Sequence, residues 1–131
     1  MDRVFLDANV LFSAAYREDS GLLKLWRLRG VSLLTSTYAL EEASRNLGTL
    51  AQRGRLETLV ARLEIRPFEA VHSTLPAGVD LPTDDRPILE SAIASGATHL
   101  LTGDRKAFGK YFGRKIAGVR VLRPSTYLAN R

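Results

Sequence analysis

Cysteine is absent from this 131-residue chain, which excludes disulfide bonds and zinc–thiolate sites. Its absence also fits a reducing compartment. Long apolar runs are lacking too, since none approaches the roughly 18 residues that a membrane helix needs. The first residues, MDRVFLDANVLF, carry acids and lack the basic start of a secretory signal. We therefore expect a cytoplasmic protein with no membrane partner.

Several familiar catalytic signatures are also missing. No glycine fingerprint of a dinucleotide site follows the first predicted strand, where DANVLFSA stands instead. The segment GDRKAFGK superficially suggests a phosphate loop, but its glycine spacing is one residue too long and Tyr111 replaces the hydroxyl residue. No nucleophile elbow G-x-S-x-G occurs. His72 and His99 fall in a predicted loop and a predicted buried strand, where packing or surface roles are commoner than catalysis.

Acidic residues are scarce in the last quarter of the chain. Residues 1–100 hold 11 Lys/Arg and 13 Asp/Glu, a net charge of −2, whereas residues 101–131 hold 8 basic residues and Asp104 as the one acid, a net charge of +7. A basic surface beside carboxylates suits a site that cleaves a polyanion, because cations hold phosphates while acids hold metal. The alternatives are a solvated basic face and a surface for an acidic protein partner.

Length and composition predict one domain spanning residues 1–131. Apolar content of 45% and charged content of 25% are ordinary for a globular domain with its own core. Alternating strands and helices predict a three-layer α/β/α sandwich with a mainly parallel sheet of about five strands. The predicted strands are Arg3–Leu6, Val31–Leu34, Ile65–Phe68, His99–Thr102 and Val119–Leu122. The predicted helices are Ala8–Tyr16, Gly21–Arg29, Ser36 or Thr37 to Leu47, Gln52–Leu63, Pro87–Ser95, Lys106–Phe112 and Pro124–Ala129, with residues 72–83 as a loop.

Four acidic residues stand where this fold would bring them together: Asp7, Glu42, Asp85 and Asp104. Asp7 and Asp104 follow short apolar strands, and parallel sheets bind ligands beyond the carboxyl ends of their strands. Each of these two aspartates could instead be a helix N-cap. Carboxylates that converge in a cleft must share protons or hold a divalent cation.

Three blocks of sequence resemble the PIN domain family: VFLDANVLFSAA, STYALEEASRNL and LPTDDRPILESAIASGATHLLTGDRKAF. Their order and spacing match as well, and the likeness covers nearly the whole chain. The nearest type is the small bacterial or archaeal PIN protein that acts as the toxin of a toxin–antitoxin pair. The block from Asp85 to Asp104 is the most specific part.

The resemblance places the family's acidic quartet on Asp7, Glu42, Asp85 and Asp104, as catalytic and metal-binding residues. It also matches Asn9 and Thr102 to groups that orient these carboxylates. Two positions are ambiguous. Glu41 is one possible site acid, although it can pair with Arg45 one helical turn on. Asp84 could replace Asp85.

An RNA-cleaving enzyme that uses Mg²⁺ or Mn²⁺ is what the resemblance implies, and hard oxygen ligands suit those ions. It also implies RNA as the substrate, a possible small antitoxin partner and a homodimer. Bulky residues of the second predicted helix could supply the dimer interface, namely Leu22, Leu25, Trp26 and Leu28. The candidates for RNA contact are Arg105, Lys106, Lys110, Arg114 and Lys115, interleaved with Phe108, Tyr111 and Phe112, although those aromatics could equally pack the core.

Two other interpretations compete with this one. FLDANVL is similar to the opening strand of haloacid-dehalogenase phosphatases, but that class needs a second aspartate where Asn9 stands. A non-catalytic module could use the basic tail to hold RNA or a protein. Four intact acids argue against such a module, because without catalysis nothing would favour keeping carboxylates that repel one another.

Overall fold

The computed structural model describes residues 1–68 and 75–131, and a six-stranded sheet forms its centre. The strands are β1 (Asp2–Leu6), β2 (Val31–Ser36), β3 (Glu64–Arg66), β4 (His99–Leu101), β5 (Lys115–Ile116) and β6 (Val119–Leu122). Their order across the sheet is β3–β2–β1–β4–β6–β5. All neighbours are parallel except β5, which runs antiparallel to β6.

Helices flank this sheet. They are α1 (Ala8–Tyr16), α2 (Thr37–Asn46), α3 (Leu50–Val60), α4 (Arg86–Ala94), α5 (Arg105–Phe108) and α6 (Pro124–Ala129), together with two 3₁₀ helices, Gly21–Arg27 and Gly109–Tyr111. In the part of the chain that the structure describes, none of these helices is long and apolar enough to cross a membrane.

The predicted α/β architecture is confirmed, with one strand more than expected. The extra strand, β5, has only two residues and forms a hairpin with β6 through Ala117 and Gly118, which both have positive φ. Two residues cannot display an alternating pattern, so the sequence held no periodic signal for this strand. Gly96 ends α4 with φ +69, as predicted for a glycine stop.

Several predicted boundaries were wrong. Gly21–Arg29 forms a 3₁₀ helix ending at Arg27, and Lys106–Phe112 is divided into α5 and a second 3₁₀ helix. Residues 75–83 contain no helix or strand, as expected, while His72 lies outside the described residues. The α3 helix starts at Leu50, two residues before the predicted start, because a capping box formed by Thr49 and Gln52 fixes its first turn.

Apolar side chains of the central strands form the core. Val4, Phe5 and Leu6 of β1 and Leu100 and Leu101 of β4 are fully buried. Such continuous apolar runs are expected for parallel strands that helices cover on both faces. The core holds these strands in register, and this register determines where their carboxyl ends lie.

The connections reverse direction between β1 and β4. From β1 the chain moves outward through β2 to β3, and it then returns to place β4 on the other side of β1. In open α/β sheets, such a switch point leaves a crevice beyond the strand ends. Leu6 pairs with Leu101 in the register, so the residues that follow these two strands enter the same crevice.

Candidate metal centre

Asp7 is the most buried acid in the crevice, with 4% of its surface exposed. Its backbone nitrogen donates to the Leu101 carbonyl oxygen at 3.1 Å, which continues the β1–β4 ladder to the base of the site. One carboxylate oxygen, Oδ1, accepts from the Ala8 nitrogen at 2.6 Å and thereby caps α1. The other, Oδ2, accepts from the Thr102 hydroxyl at 2.7 Å and from Asn9 Nδ2 at 3.1 Å. The three hydrogen bonds to the carboxylate and the one from the backbone nitrogen fix Asp7 at the end of β1.

Thr102 and Asn9 join the two strand ends. Besides donating to Asp7, the fully buried Thr102 hydroxyl accepts from the Asp104 nitrogen at 3.1 Å. Asn9 Nδ2 reaches the same hydroxyl at 3.3 Å, and Asn9 Oδ1 accepts from the Gly103 nitrogen at 2.8 Å. The two side chains therefore hold the loop that carries Asp104 against the loop that carries Asp7, in agreement with the orienting role that the sequence suggested.

Asp104 combines two tasks that sequence analysis treated as alternatives. Its Oδ1 accepts from the Ala107 nitrogen at 3.1 Å and caps α5, while the residue also borders the same cavity as Asp7. Asp7 likewise caps a helix and borders the cavity. Capping therefore does not remove either aspartate from the site, because each carboxylate has a second oxygen and further lone pairs.

The remaining acids come from two other segments. Ser36 caps α2 through the Ala39 nitrogen, and this helix carries Glu42 to the cavity wall. Asp85 stands at the start of α4 and makes no capping hydrogen bond, so its carboxylate has no structural task at that helix end. Asp84 is exposed and does not border the cavity.

One cavity of about 490 Å³ brings the four acids together. It is bordered by Asp7, Ala8, Asn9, Phe12, Glu42, Ala43, Asn46, Asp85 and Asp104. The cavity contains the predicted quartet and neither of the alternatives, Glu41 and Asp84. The geometry thus favours the quartet as the sequence analysis assigned it.

The carboxylates in this cavity influence one another. Burial raises the pKa of Asp7 to about 6, against hydrogen bonds from Thr102 and Ala8 that lower it, and the charges of Asp85 and Glu42 raise it further. Burial and the neighbouring Asp85 raise the pKa of Glu42, which Arg45 partly offsets. Burial and the charge of Asp104 raise the pKa of Asp85. Arg45 thus acts on Glu42, whereas the sequence analysis paired it with Glu41.

The donor set of the cavity fits a hard divalent cation. All four acids offer oxygen atoms, and a cation would relieve the mutual repulsion that raises the pKa values of Asp7, Glu42 and Asp85. The ligand shell is not preformed: among residues 1–68 and 75–131, no three acidic or histidine side chains stand close enough to one another to hold a metal ion. The residues therefore match the ion in chemistry, and ligation would require their side chains to move closer together.

Three further residues at this site were missed by the sequence analysis. Tyr38, Glu42 and Asn46 follow one another at intervals of four residues on α2, so they share a helix face. Asn46 Nδ2 donates to the Glu42 carbonyl oxygen at 2.9 Å, and the Tyr38 hydroxyl donates to the Asp84 carbonyl oxygen at 2.8 Å. Phe12 of α1 supplies an apolar wall. The four-residue spacing from Glu42 was the signal that could have identified Tyr38 and Asn46.

The basic candidates for RNA contact divide into three groups. Arg105 and Lys106 are exposed on α5, directly after Asp104, and Arg114 is exposed just before β5. Lys110 donates to Asp80 Oδ2 at 2.8 Å, so its ammonium group is paired within the protein. Lys115 pairs with Arg120 in the hairpin, and its charge acts on the His99 ring.

His99 lies at the end of the strands opposite the carboxylates. It begins β4, whereas Asp104 follows the end of that strand. Lys115, whose charge acts on His99, therefore also lies toward the end opposite the carboxylates. The His99 ring packs edge-on against Tyr127 with centroids 5.0 Å apart, as expected for a packed histidine.

The aromatics of the basic segment have internal contacts too: Phe108 is fully buried, and the Tyr111 hydroxyl accepts from the Asp80 nitrogen at 2.7 Å. Phe108 belongs to the core, which excludes it from base stacking.

Comparison with known proteins identifies the same fold. The Rickettsia felis VapBC2 complex bound to a DNA fragment from its promoter contains a chain that superposes with a TM-score of 0.69 at 20% identity, covering 92% of this chain and 98% of that chain. The sarcin–ricin loop cleaving toxin VapC20 of Mycobacterium tuberculosis matches with a TM-score of 0.59 at 14% identity, over 86% and 98% of the two chains. FitAB bound to the IR36 DNA fragment matches with a TM-score of 0.60 at 18% identity, over 92% and 94%. No curated protein matches the sequence.

The family assignment comes from the sequence itself. The PIN domain family model matches residues 3–106, which include all four acids of the cavity and most of the chain. Together with the crevice at the switch point of the sheet, this match establishes that the chain belongs to the PIN domain family.

Proposed function

We propose that this protein is an endoribonuclease that hydrolyses RNA phosphodiester bonds with the help of Mg²⁺ or Mn²⁺ held by Asp7, Glu42, Asp85 and Asp104. The observation that carries the proposal is that four separate segments of the chain each bring one carboxylate to the wall of a single cavity. Carboxylates gathered in this way disfavour folding unless a positive charge compensates them. Membership of the PIN domain family supports the same reaction.

Asp7 and Asp104 would bind the ion directly, because hydrogen bonds hold both carboxylates in place and Asp7 Oδ1, which accepts the capping bond, keeps a further lone pair for an ion. Glu42 and Asp85 would bind through water or accept a proton from the attacking water. When bound, such an ion activates water and neutralises charge on the phosphate. Thr102 and Asn9 keep the Asp7 carboxylate oriented throughout.

Exposed cations beside the cavity would hold the RNA backbone. Arg105 and Lys106 directly follow Asp104 and are the strongest candidates, with Arg114 as a further one. Lys110 is paired with Asp80, and Lys115 lies toward the opposite end of the strands, so we assign neither lysine a leading role in RNA binding.

Toxin activity within a toxin–antitoxin pair is the biological role that we propose. Support comes from the folds of VapBC2, VapC20 and FitAB, of which VapC20 is a toxin that cleaves the sarcin–ricin loop. A small antitoxin would then be the natural partner, and the protein would act in the cytoplasm.

We also propose that the protein is a homodimer, with part of the apolar segment from Leu22 to Leu28 at the interface. Leu25 and Trp26 are buried in the core, and Trp26 Nε1 donates to the Leu59 carbonyl oxygen at 3.1 Å. Leu22 and Leu28 are only partly buried and border an apolar groove next to α6. These two leucines are therefore the candidates that remain for an interface.

RNA cleavage with matched variants tests the proposed reaction. Purified protein should cleave RNA with Mg²⁺ or Mn²⁺, and excess EDTA should abolish cleavage. Asp85→Asn should remove the activity, whereas Asp84→Asn, which changes the neighbouring exposed residue, should retain most of it. Full activity in EDTA, or equal activity of the two variants, would contradict the proposal.

A further inference from the structure

Tyr38 connects two of the acids that come from different segments. It lies on α2 one helical turn before Glu42, and its hydroxyl donates to the Asp84 carbonyl oxygen at 2.8 Å. The carbonyl carbon of Asp84 is bonded to the Asp85 nitrogen, so this contact fixes the peptide plane that leads into Asp85. Tyr38 is thus attached to one acid through its helix and to the next acid through a hydrogen bond.

The hydroxyl stays a donor beside the acids. Burial and then the charge of Glu42 raise the pKa of Tyr38, so the phenol keeps its proton. A phenol has one proton to donate, and the Asp84 carbonyl oxygen accepts it. The hydroxyl therefore ties the peptide before Asp85 to the helix that carries Glu42.

Asp85 depends on such outside support more than the other aspartates do. Asp7 and Asp104 are oriented by helix-capping bonds, but Asp85 makes no cap bond at the start of α4. The turn before it is closed by the Asp85 and Arg86 nitrogens, which both donate to the Pro82 carbonyl oxygen. These bonds shape the turn without attaching it to α2.

We propose that Tyr38 is a positioning residue that sets the separation of Glu42 and Asp85, because its hydroxyl group ties the Asp84 carbonyl to the helix that carries Glu42. This inference rests on the proposed function, since the separation matters only if the two acids act on a shared ion. Groups that orient metal ligands from outside typically change metal affinity or activity by about 10–100-fold when they are lost.

Tyr38→Phe is a suitable test because it removes the hydroxyl and keeps the ring. The ring packs against Phe68 with centroids 5.4 Å apart, so the variant retains this apolar contact. Tyr111→Phe is the matched control. Its hydroxyl also binds the backbone of the segment that leads to Asp85, at the Asp80 nitrogen, but it contacts neither Glu42 nor Asp84. Both variants therefore lose hydrogen bonds between a tyrosine hydroxyl and the backbone of the same segment.

Calorimetric titration with Mn²⁺ and RNA cleavage kinetics measure the outcome. We expect Tyr38→Phe to weaken Mn²⁺ binding about tenfold and to lower kcat while KM for RNA stays unchanged, because no RNA-contacting cation is touched. Tyr111→Phe should leave the Mn²⁺ affinity and kcat within about twofold of the wild type, and both variants should melt within a few degrees of each other.

The possible failures are distinguishable. If the wild type binds Mn²⁺ and cuts RNA but Tyr38→Phe behaves like Tyr111→Phe, the role of Tyr38 is overturned and the proposed function stands. Wild-type protein that neither binds Mn²⁺ nor cuts RNA overturns the proposed function, and the inference fails with it. A melting temperature that falls only in Tyr38→Phe, with unchanged Mn²⁺ affinity per folded molecule, would show that Tyr38 has a structural role alone.

Discussion

Replacement of Asp7 by asparagine should change stability in opposite directions at neutral and at acidic pH. Burial, the main cause, raises the pKa of Asp7 from 3.8 to about 6. Since each pKa unit corresponds to about 1.4 kcal/mol, the ionised carboxylate destabilises the metal-free fold by about 3 kcal/mol near neutral pH. Asparagine carries no charge and removes this cost.

Asparagine also loses interactions. It remains a good N-cap for α1, because its carbonyl oxygen can still accept from the Ala8 nitrogen. Its amide nitrogen, however, would stand where Asp7 Oδ2 accepts from Thr102 and Asn9. Losing these two hydrogen bonds costs about 2 kcal/mol. We therefore expect Asp7→Asn to be about 1 kcal/mol more stable than the wild type at about pH 7.5 without metal.

Lower pH should reverse this order. A carboxyl group with a raised folded-state pKa binds protons more tightly when folded, so the ionisation cost disappears as the pH falls through about 6 toward the unfolded value of 3.8. At about pH 4.5 the cost has fallen to about 1 kcal/mol, and the variant should be about 1 kcal/mol less stable than the wild type. The groups with lowered pKa values, Asp2, Glu64 and Asp80, are the same in the wild type and the variant, so their loss of stabilisation at low pH cancels in the difference.

Urea unfolding in EDTA at the two pH values measures both differences. Asp84→Asn is the control, because this exposed residue should change the unfolding free energy by less than about 0.5 kcal/mol at either pH. If Asp7→Asn were less stable than the wild type at both pH values, Asp7 would be a helix cap without a cost of ionisation, and the electrostatic reasoning would be refuted.

Three further predictions follow from the same geometry. Thr102→Val removes the hydroxyl that joins Asp7 to the Asp104 backbone, so it should destabilise the fold by about 2 kcal/mol and lower RNA cleavage at least about tenfold. Thr35→Val is the control: it loses a buried bond to the Leu6 carbonyl oxygen, so it should lower the melting temperature and leave cleavage per folded molecule unchanged. Replacing Arg105 and Lys106 together by alanine should reduce the slope of log affinity for RNA against log salt by about 2, whereas Lys115→Ala should leave it unchanged, as binding measured at several salt concentrations will reveal. Sedimentation at tens of micromolar should give a dimer that Leu22→Glu dissociates, and a wild-type monomer would reject the interface beside α6.

Much of the fold could be predicted because its signals are local. Each of the two aspartates, Asp7 and Asp104, follows its own short apolar strand closely in the sequence. The register of β1 and β4 then brings the two acids together. The four acids predicted from the sequence border one cavity, and their roles as ligands and catalytic groups are a proposal. The hairpin strand β5 was missed because two residues carry no periodic pattern.

The contacts that hold the site together depend on tertiary packing, which one sequence does not encode locally. Nothing near Tyr38 indicates that its hydroxyl meets the Asp84 carbonyl 46 residues away. In the same way, the sequence near Lys110 does not indicate its pairing with Asp80, which is a contact across 30 residues. Capping and ligation by one aspartate were treated as exclusive alternatives, whereas the two carboxylate oxygens allow both.

Calorimetric titration of Mn²⁺ into the metal-free protein, its Asp85→Asn variant and its Asp84→Asn variant tests the central claim most directly. If the carboxylates of the cavity hold a divalent cation, the wild type and Asp84→Asn should bind Mn²⁺ with similar affinity, and Asp85→Asn should bind at least about tenfold more weakly. Equal affinities of Asp85→Asn and the wild type, or no saturable binding by the wild type, would contradict the assignment of this cavity as a metal centre.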